Sequence, residues 1–170
     1  MATLGLRHAV LWVTDPAVSA RFYEQALGLE AKVETENAVF MTSPRSATDH
    51  DLGLFRAAAP AAGERGIGLY HLSWELATLE ELAEARERLA AMGALVGENN
   101  HGMSRSLYCH DPDGIEFEVM WELPLELYDP DDPSNVALDL EADMARFGAD
   151  RPGRGATPAT GESLDSGSSD

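Results

Sequence analysis

Four residues, Asp111-Pro112-Asp113-Gly114, constrain this chain more than any other short stretch. Pro112 presets φ at the first central position of a tight turn, and Gly114 tolerates a positive φ at its exit. The flanks have the composition of strands: Leu-Tyr-Cys-His over residues 107–110 and Ile-Glu-Phe-Glu-Val-Met-Trp over 115–121. Side chains on a strand alternate between faces. Phe117, Val119 and Trp121 therefore share one face as an ordinary buried set, and Glu116, Glu118 and Met120 share the other. A carboxylate in mid-strand must be solvated, paired or bound to a metal, because an unpaired buried charge is expensive.

The chain around this hairpin runs through one pattern twice. Residues 6–13 predict a strand with His8, Val10 and Trp12 on one face. Asp15 and Pro16 begin a helix as N-cap and first-turn proline. Val18, Phe22 and Ala26 give that helix an apolar stripe, and Gly28 stops it. Strands follow around residues 29–33, 38–42 and 51–55, with a Ser/Thr/Pro/Asp-rich loop at 43–50. After an Ala/Gly/Pro-rich linker at about 58–68, the order begins again. A strand at 69–75 has His71 near its start, and a helix at 78–92 carries the capping box Thr78 and Glu81. Gly93 ends the helix, and strands follow around 94–97, 106–110 and 115–121. One copy thus covers about residues 4–57 and the other about 69–124, within a single domain over 1–124. Residues 125–147 form an extension with a short peripheral helix at 136–147. From Gly148 to residue 170 there is little to bury, and a disordered tail is expected.

Composition removes several classes of function. No apolar run approaches the roughly 20 residues of a membrane span, and the N-terminus has no secretory pattern. The single cysteine, Cys109, excludes an internal disulfide and a multi-cysteine zinc site, and fits a reducing cytoplasm. Twelve basic residues against 30 acidic ones give a net charge of -18, which repels phosphate backbones. Neither nucleic acid nor a membrane is an expected partner.

His8 and His71 stand in the first strand of each copy, and Glu118 in the last strand of the second. If the copies pair about a pseudo-two-fold axis, these side chains can converge. Two neutral imidazoles and one carboxylate suit Fe(II) or Mn(II) and leave a face open for substrate and oxygen. Each residue alone has a plainer account, as a hydrogen-bonded histidine or an exposed glutamate. Three of them at repeat-related positions favour the metal.

On these residues the chain resembles the vicinal oxygen chelate superfamily, which includes glyoxalases, bleomycin resistance proteins and extradiol dioxygenases. Within it, the likeness is to one-domain type I extradiol ring-cleaving enzymes, over about residues 4–124. The strongest motif is Ser-Leu-Tyr-Cys-His-Asp-Pro-Asp-Gly-Ile-Glu-Phe-Glu-Val at 106–119, where Glu118 takes the place of the carboxylate ligand. Tyr108, ten positions earlier (118 − 108), matches the active-site tyrosine. His101-Gly102-Met103-Ser104 is similar to the extradiol pattern, and His50, before residues 51–55, fits the acid/base histidine. Ile115 and Glu116 depart from the more polar turn exit usual in the family.

The resemblance implies an α+β fold: two paired βαβββ modules forming an open, incomplete barrel-like mixed sheet around a metal site. It implies Fe(II), with Mn(II) as the alternative, held by His8, His71 and Glu118. A small aromatic diol and O2 would be the substrates of a homodimer, with His50 moving protons and Tyr108 and His101 hydrogen-bonding substrate oxygens. Trp12, Phe40, Met41 and Met103 are candidates for the pocket wall. Three rivals share the fold. A fosfomycin-type thiol transferase needs a basic phosphonate pocket, for which the chain has no obvious Lys and Arg cluster. A glyoxalase-like isomerase needs a fourth ligand, and residues 52–55 offer no carboxylate. An acidic, non-enzymatic antibiotic-binding protein needs none of the three ligands.

Overall fold

The structure, a computed structural model, describes residues 5–59 and 68–156. Most of the expected linker, the first four residues and the segment from 157 onward lie outside the described residues. The first module comprises β1 (Ala9–Val13), α1 (Pro16–Leu27), β2 (Glu30–Glu34), β3 (Ala38–Thr42) and β4 (Leu52–Arg56). The second comprises β5 (Leu72–Glu75), α2 (Leu79–Ala91), β6 (Leu95–Asn100), β7 (Ser104–His110) and β8 (Glu116–Glu122). Each module forms its own four-stranded mixed sheet, in the orders β1-β4-β3-β2 and β5-β8-β7-β6. The fold is α+β, and among the described residues no ladder joins the sheets into one or closes a barrel.

The repeat read from sequence pattern is also a repeat of hydrogen bonding. Ala9 pairs with Leu52 in a parallel ladder, as Leu72 pairs with Phe117. Phe40 lies opposite Gly53, as Tyr108 lies opposite Glu118. The edge strands β2 and β6 have the same irregularity, between Ala31 and Val33 and between Leu95 and Gly97. One extra residue there bends the strand and raises its twist.

Capping chemistry fixes the helix ends. Asp15 accepts from the Ala17 amide at 3.0 Å, and Gly28 closes α1 at φ 67°. Thr78 accepts from the Glu81 amide at 3.2 Å, while the Glu81 carboxylate takes the Ala77 amide at 3.0 Å. The buried face of α1 is Ser19, Ala20, Tyr23 and Ala26, whereas Val18 of the expected stripe is exposed. The shift arises because α1 packs on the second module as well as its own sheet. Phe22 and Tyr23 both make edge contacts with Phe117 of β8.

The Asp-Pro-Asp-Gly turn completes that junction. One Asp111 oxygen accepts from the amides of Asp113 and Ile115, and the other accepts the Tyr23 hydroxyl at 3.1 Å. Asp113 accepts the Thr14 amide at 2.9 Å. Burial pushes the carboxyl of Asp111 and the phenol of Tyr23 up. The same four residues that shape the hairpin fasten the second module to the first helix.

The extension is less peripheral than its composition implies. In α3 (Leu140–Phe147), Leu140 and Phe147 enter the core and Asp143 grips Arg105 of β7. The expected tail is packed as far as Ala156. The Gly153 amide donates to the Ala77 carbonyl at 2.7 Å, and Trp121 donates to the Arg151 carbonyl at 3.2 Å. Among the described residues no helix is long and apolar enough to cross a membrane.

Candidate active site

Alternation along β8 turns Glu116 and Glu118 away from the core face of Phe117, Val119 and Trp121. Antiparallel pairing sets Tyr108 opposite Glu118 and His110 opposite Glu116. His71 stands one residue before β5, whose Ser73 is the register partner of Glu118. Five polar side chains are thereby gathered on one face of the second sheet. His71 Nε2 lies 3.4 Å from Glu118 Oε2, and His71 Nδ1 lies 3.5 Å from Glu116 Oε1. His110 Nε2 lies 3.7 Å from the other Glu116 oxygen.

Glu118 is 8% exposed, so its carboxylate is largely out of water. His71 Nδ1 is buried with no hydrogen-bond partner. The 3.4 Å spacing is long for a hydrogen bond. It suits two ligands of one ion, which at about 2.1 Å from the metal stand about 3.0 Å apart at right angles and about 3.4 Å at tetrahedral ones. His71 and Glu118 therefore fit a metal as two of its ligands.

The first sheet presents a different set. His8 precedes β1 by one residue and stacks on His50, with centroids 4.4 Å apart. Phe40 meets the same His50 ring edge-on at 5.1 Å. His50 Nδ1 lies 3.0 Å from the Asp49 carboxylate, whose pKa is held low by that hydrogen bond and by Lys32. Asp51 fixes the loop carrying His50, accepting from Thr42, Ser43, Ser46 and Thr48. Burial alone would push the Asp51 carboxyl up, but those hydrogen bonds outweigh it and hold the pKa below the usual range.

The structure thus brings His71 to Glu118 and His8 to His50, but keeps the two pairs on separate sheets. Among the described residues no three His, Cys, Asp or Glu side chains stand together as a ligand set. A cavity of about 170 Å³ lies at the seam, bordered by His8 and Asp51 on one side and Leu72 and Ser73 on the other.

Tyr108 and His101 meet beside the second sheet's polar face, with the hydroxyl 2.7 Å from His101 Nε2. Burial pushes the Tyr108 phenol up, and the charges of Glu118 and Glu116 add to it. His101 Nδ1 is held in turn by Asn135 Oδ1 at 2.8 Å. Asn135 and Asp49 are the partners that sequence reading missed. Asp49 was legible as the neighbour of His50, whereas nothing local marks Asn135. Of the expected pocket walls, Met41 is fully buried in the core, while Trp12 is exposed on the same strand face as His8.

A sequence model described as "Glyoxalase/Bleomycin resistance protein/Dioxygenase superfamily" matches residues 5–119. A curated Bacillus subtilis (strain 168) protein named catechol-2,3-dioxygenase is 28% identical over 153 residues. That match covers 85% of this chain and 52% of the relative, so the chain spans about half the length of that protein. Among solved structures, a glyoxalase/dioxygenase from Nostoc punctiforme is 20% identical at TM-score 0.59, covering 70% of this chain and 91% of its own. A glyoxylase/bleomycin resistance protein/dioxygenase domain from Frankia sp. EAN1pec is 25% identical at 0.58, covering 71% and 99%. A fosfomycin resistance protein from Listeria monocytogenes, complexed with Mn(II) and a dihydroxypropylphosphonic acid, is 23% identical at 0.56, covering 69% and 90%. The Nostoc and Listeria likenesses speak to fold alone.

Proposed function

This chain belongs to the glyoxalase/bleomycin resistance protein/dioxygenase superfamily, and we propose that within it the chain is an extradiol dioxygenase that opens the ring of a small aromatic diol with O2. The observation that carries this reading is the joint presence, on one sheet face, of the His71–Glu118 pair and the hydrogen-bonded Tyr108–His101 pair. The likeness to the Bacillus subtilis protein supports it.

His71 and Glu118 would hold the metal, Fe(II) or Mn(II), with His8, across the seam, as the third ligand. Bound there, the ion would lower the pKa of a diol hydroxyl and bring diol and O2 together. The chain's own residues handle protons and orientation. Asp49 accepts only, so His50 carries its proton on Nδ1 and offers Nε2 as the base for a diol hydroxyl, later returning that proton. Tyr108 keeps its proton at neutral pH and, held by His101, presents its hydroxyl to a substrate oxygen. Phe40 and Trp12 offer apolar surface to the ring. A four-ligand, glyoxalase-like site is disfavoured because the first-module counterpart of Glu118 is Gly53.

The test is anaerobic loading with Fe(II), metal analysis, then catechol or 2,3-dihydroxybiphenyl in air while oxygen uptake and the yellow product are followed. Stoichiometric uptake with colour is expected. Glu118→Ala should lose metal and turnover together, whereas His50→Ala should keep metal and lose about 10²–10⁴-fold in rate. Metal binding without product would refute ring cleavage, and failure to bind metal would remove the site itself.

A further inference from the structure

The family match ends at residue 119, yet the extension after it is built into the loop that carries His101. Asn100 and Val136 exchange both backbone hydrogen bonds, at 3.0 and 3.2 Å. Gly102, at φ 80°, packs so closely on Ser134 that an added Cβ would stand 3.3 Å from the serine Cβ. Arg105 ties the Gly102 carbonyl at 2.7 Å to Asp143 of α3 through two further bonds of 2.7 and 2.8 Å. Between these anchors, Asn135 adopts φ 55°, a left-handed conformation that asparagine tolerates better than most residues. Its amide oxygen meets His101 Nδ1 at 2.8 Å, while His101 Nε2 meets Tyr108.

We propose that Asn135 is a positioning residue that fixes the tautomer of His101 and, through it, the direction of the Tyr108 hydrogen bond. An amide oxygen can only accept, so the proton of the neutral imidazole must sit on Nδ1. Nε2 is then a bare acceptor, and the Tyr108 hydroxyl donates to it. Tyr108 therefore turns its oxygen lone pairs outward, toward a hydroxyl donor such as that of a diol. Without Asn135 the ring is free to carry its proton on Nε2, which would point it at Tyr108 and reverse the bond. The meaning of this for substrate rests on the ring-cleavage reading, whereas the tautomer itself does not.

The experiment uses the full chain with 15N-labelled histidine and long-range 1H–15N correlation, in buffer alkaline enough that the imidazoles are neutral. His101 is assigned by its disappearance in His101→Gln. The wild type should show His101 protonated on Nδ1. Asn135→Gly suits the backbone conformation and deletes only the acceptor, and it should abolish the predominance of that form. Asn135→Asp should restore it. A wild-type ring protonated on Nε2 overturns the proposal, whatever the variants do to the loop. So does Asn135→Gly with the wild-type tautomer intact. The protein is metal-free and no diol is added, so this result and the ring-cleavage result fail separately.

Discussion

Removing one member of the Arg105–Asp143 pair should cost far more than a surface ion pair would. The guanidinium side chain is 3% exposed and the carboxylate 10%, so neither can turn to water when its partner is lost. Asp143 meets Arg105 with two parallel bonds, and the third goes to the Gly102 carbonyl. Breaking a buried pair from one side costs about 3–5 kcal/mol, because a charge is left uncompensated. Asp143→Asn keeps the volume and one acceptor, which puts it near the lower end, about 3 kcal/mol. For a chain of this size that corresponds to a fall of about 6–12 °C in melting temperature. Equilibrium urea unfolding and calorimetry measure both. Taking both charges away, in Arg105→Met with Asp143→Leu, should recover most of the loss, since well-packed apolar pairs replace buried ions at little cost. A single-variant loss under about 1 kcal/mol would be the value of an exposed pair. It would refute the placement of α3 as a buried clasp on β7.

Two further outcomes follow from buried titratable groups. The phenols of Tyr23 and Tyr108 are both raised, chiefly by burial. The unfolded chain ionises its tyrosines near 10, so stability should fall as pH rises above about 10. Of the four tyrosines, Tyr23 should contribute phenolate absorbance only in the same step that loses circular dichroism; reversible ionisation of all four with the fold intact would contradict it. Burial likewise pushes the Cys109 thiol up to about 12. At neutral pH it should resist a disulfide reagent until denaturant is added, and rapid labelling of the folded chain would contradict this.

Features written in neighbouring residues were legible in the sequence; features made by distant ones were not. The Asp-Pro-Asp-Gly turn, both N-caps and the alternation on β8 depend on four or five consecutive residues, and all are present. Of the stripe read on α1, Ala26 is buried and Phe22 packs on the core but Val18 is exposed, and the inward turn of Tyr23 depends on Phe117, which no local periodicity contains. The packing of α3 and of residues 148–156 was missed for the same reason. Arg105 and Asp143 are 38 positions apart, and His101 and Asn135 are 34 apart. His71 and Glu118 meet because β5 pairs with β8, an adjacency that the sequence reading, which relied on the two copies pairing, did not contain. The position of His8 depends on how two sheets sit against each other, a matter of side-chain packing across the seam rather than of strand pattern.

The repeated register explains why the two modules can divide one task between them. With β1 and β5 in the same frame, His8 corresponds to His71, while the β4 and β8 ladders set Gly53 against Glu118 and Asp51 against Glu116. The β3 and β7 ladders set Phe40 against Tyr108. One backbone plan thus presents charged and hydrogen-bonding groups from the second module and an imidazole pair with aromatic surface from the first. The difference is also protected by packing. A Cβ at Gly53 would lie 3.3 Å from Val10 and 3.4 Å from Phe55, so a side chain there needs Val10 to shift by a few tenths of an ångström. A substrate lying across the seam would meet carboxylates and a tyrosine hydroxyl on one side, and the imidazole pair with aromatic surface on the other. That asymmetry suits a flat ring whose two oxygens share one edge, and it needs no difference in fold between the halves.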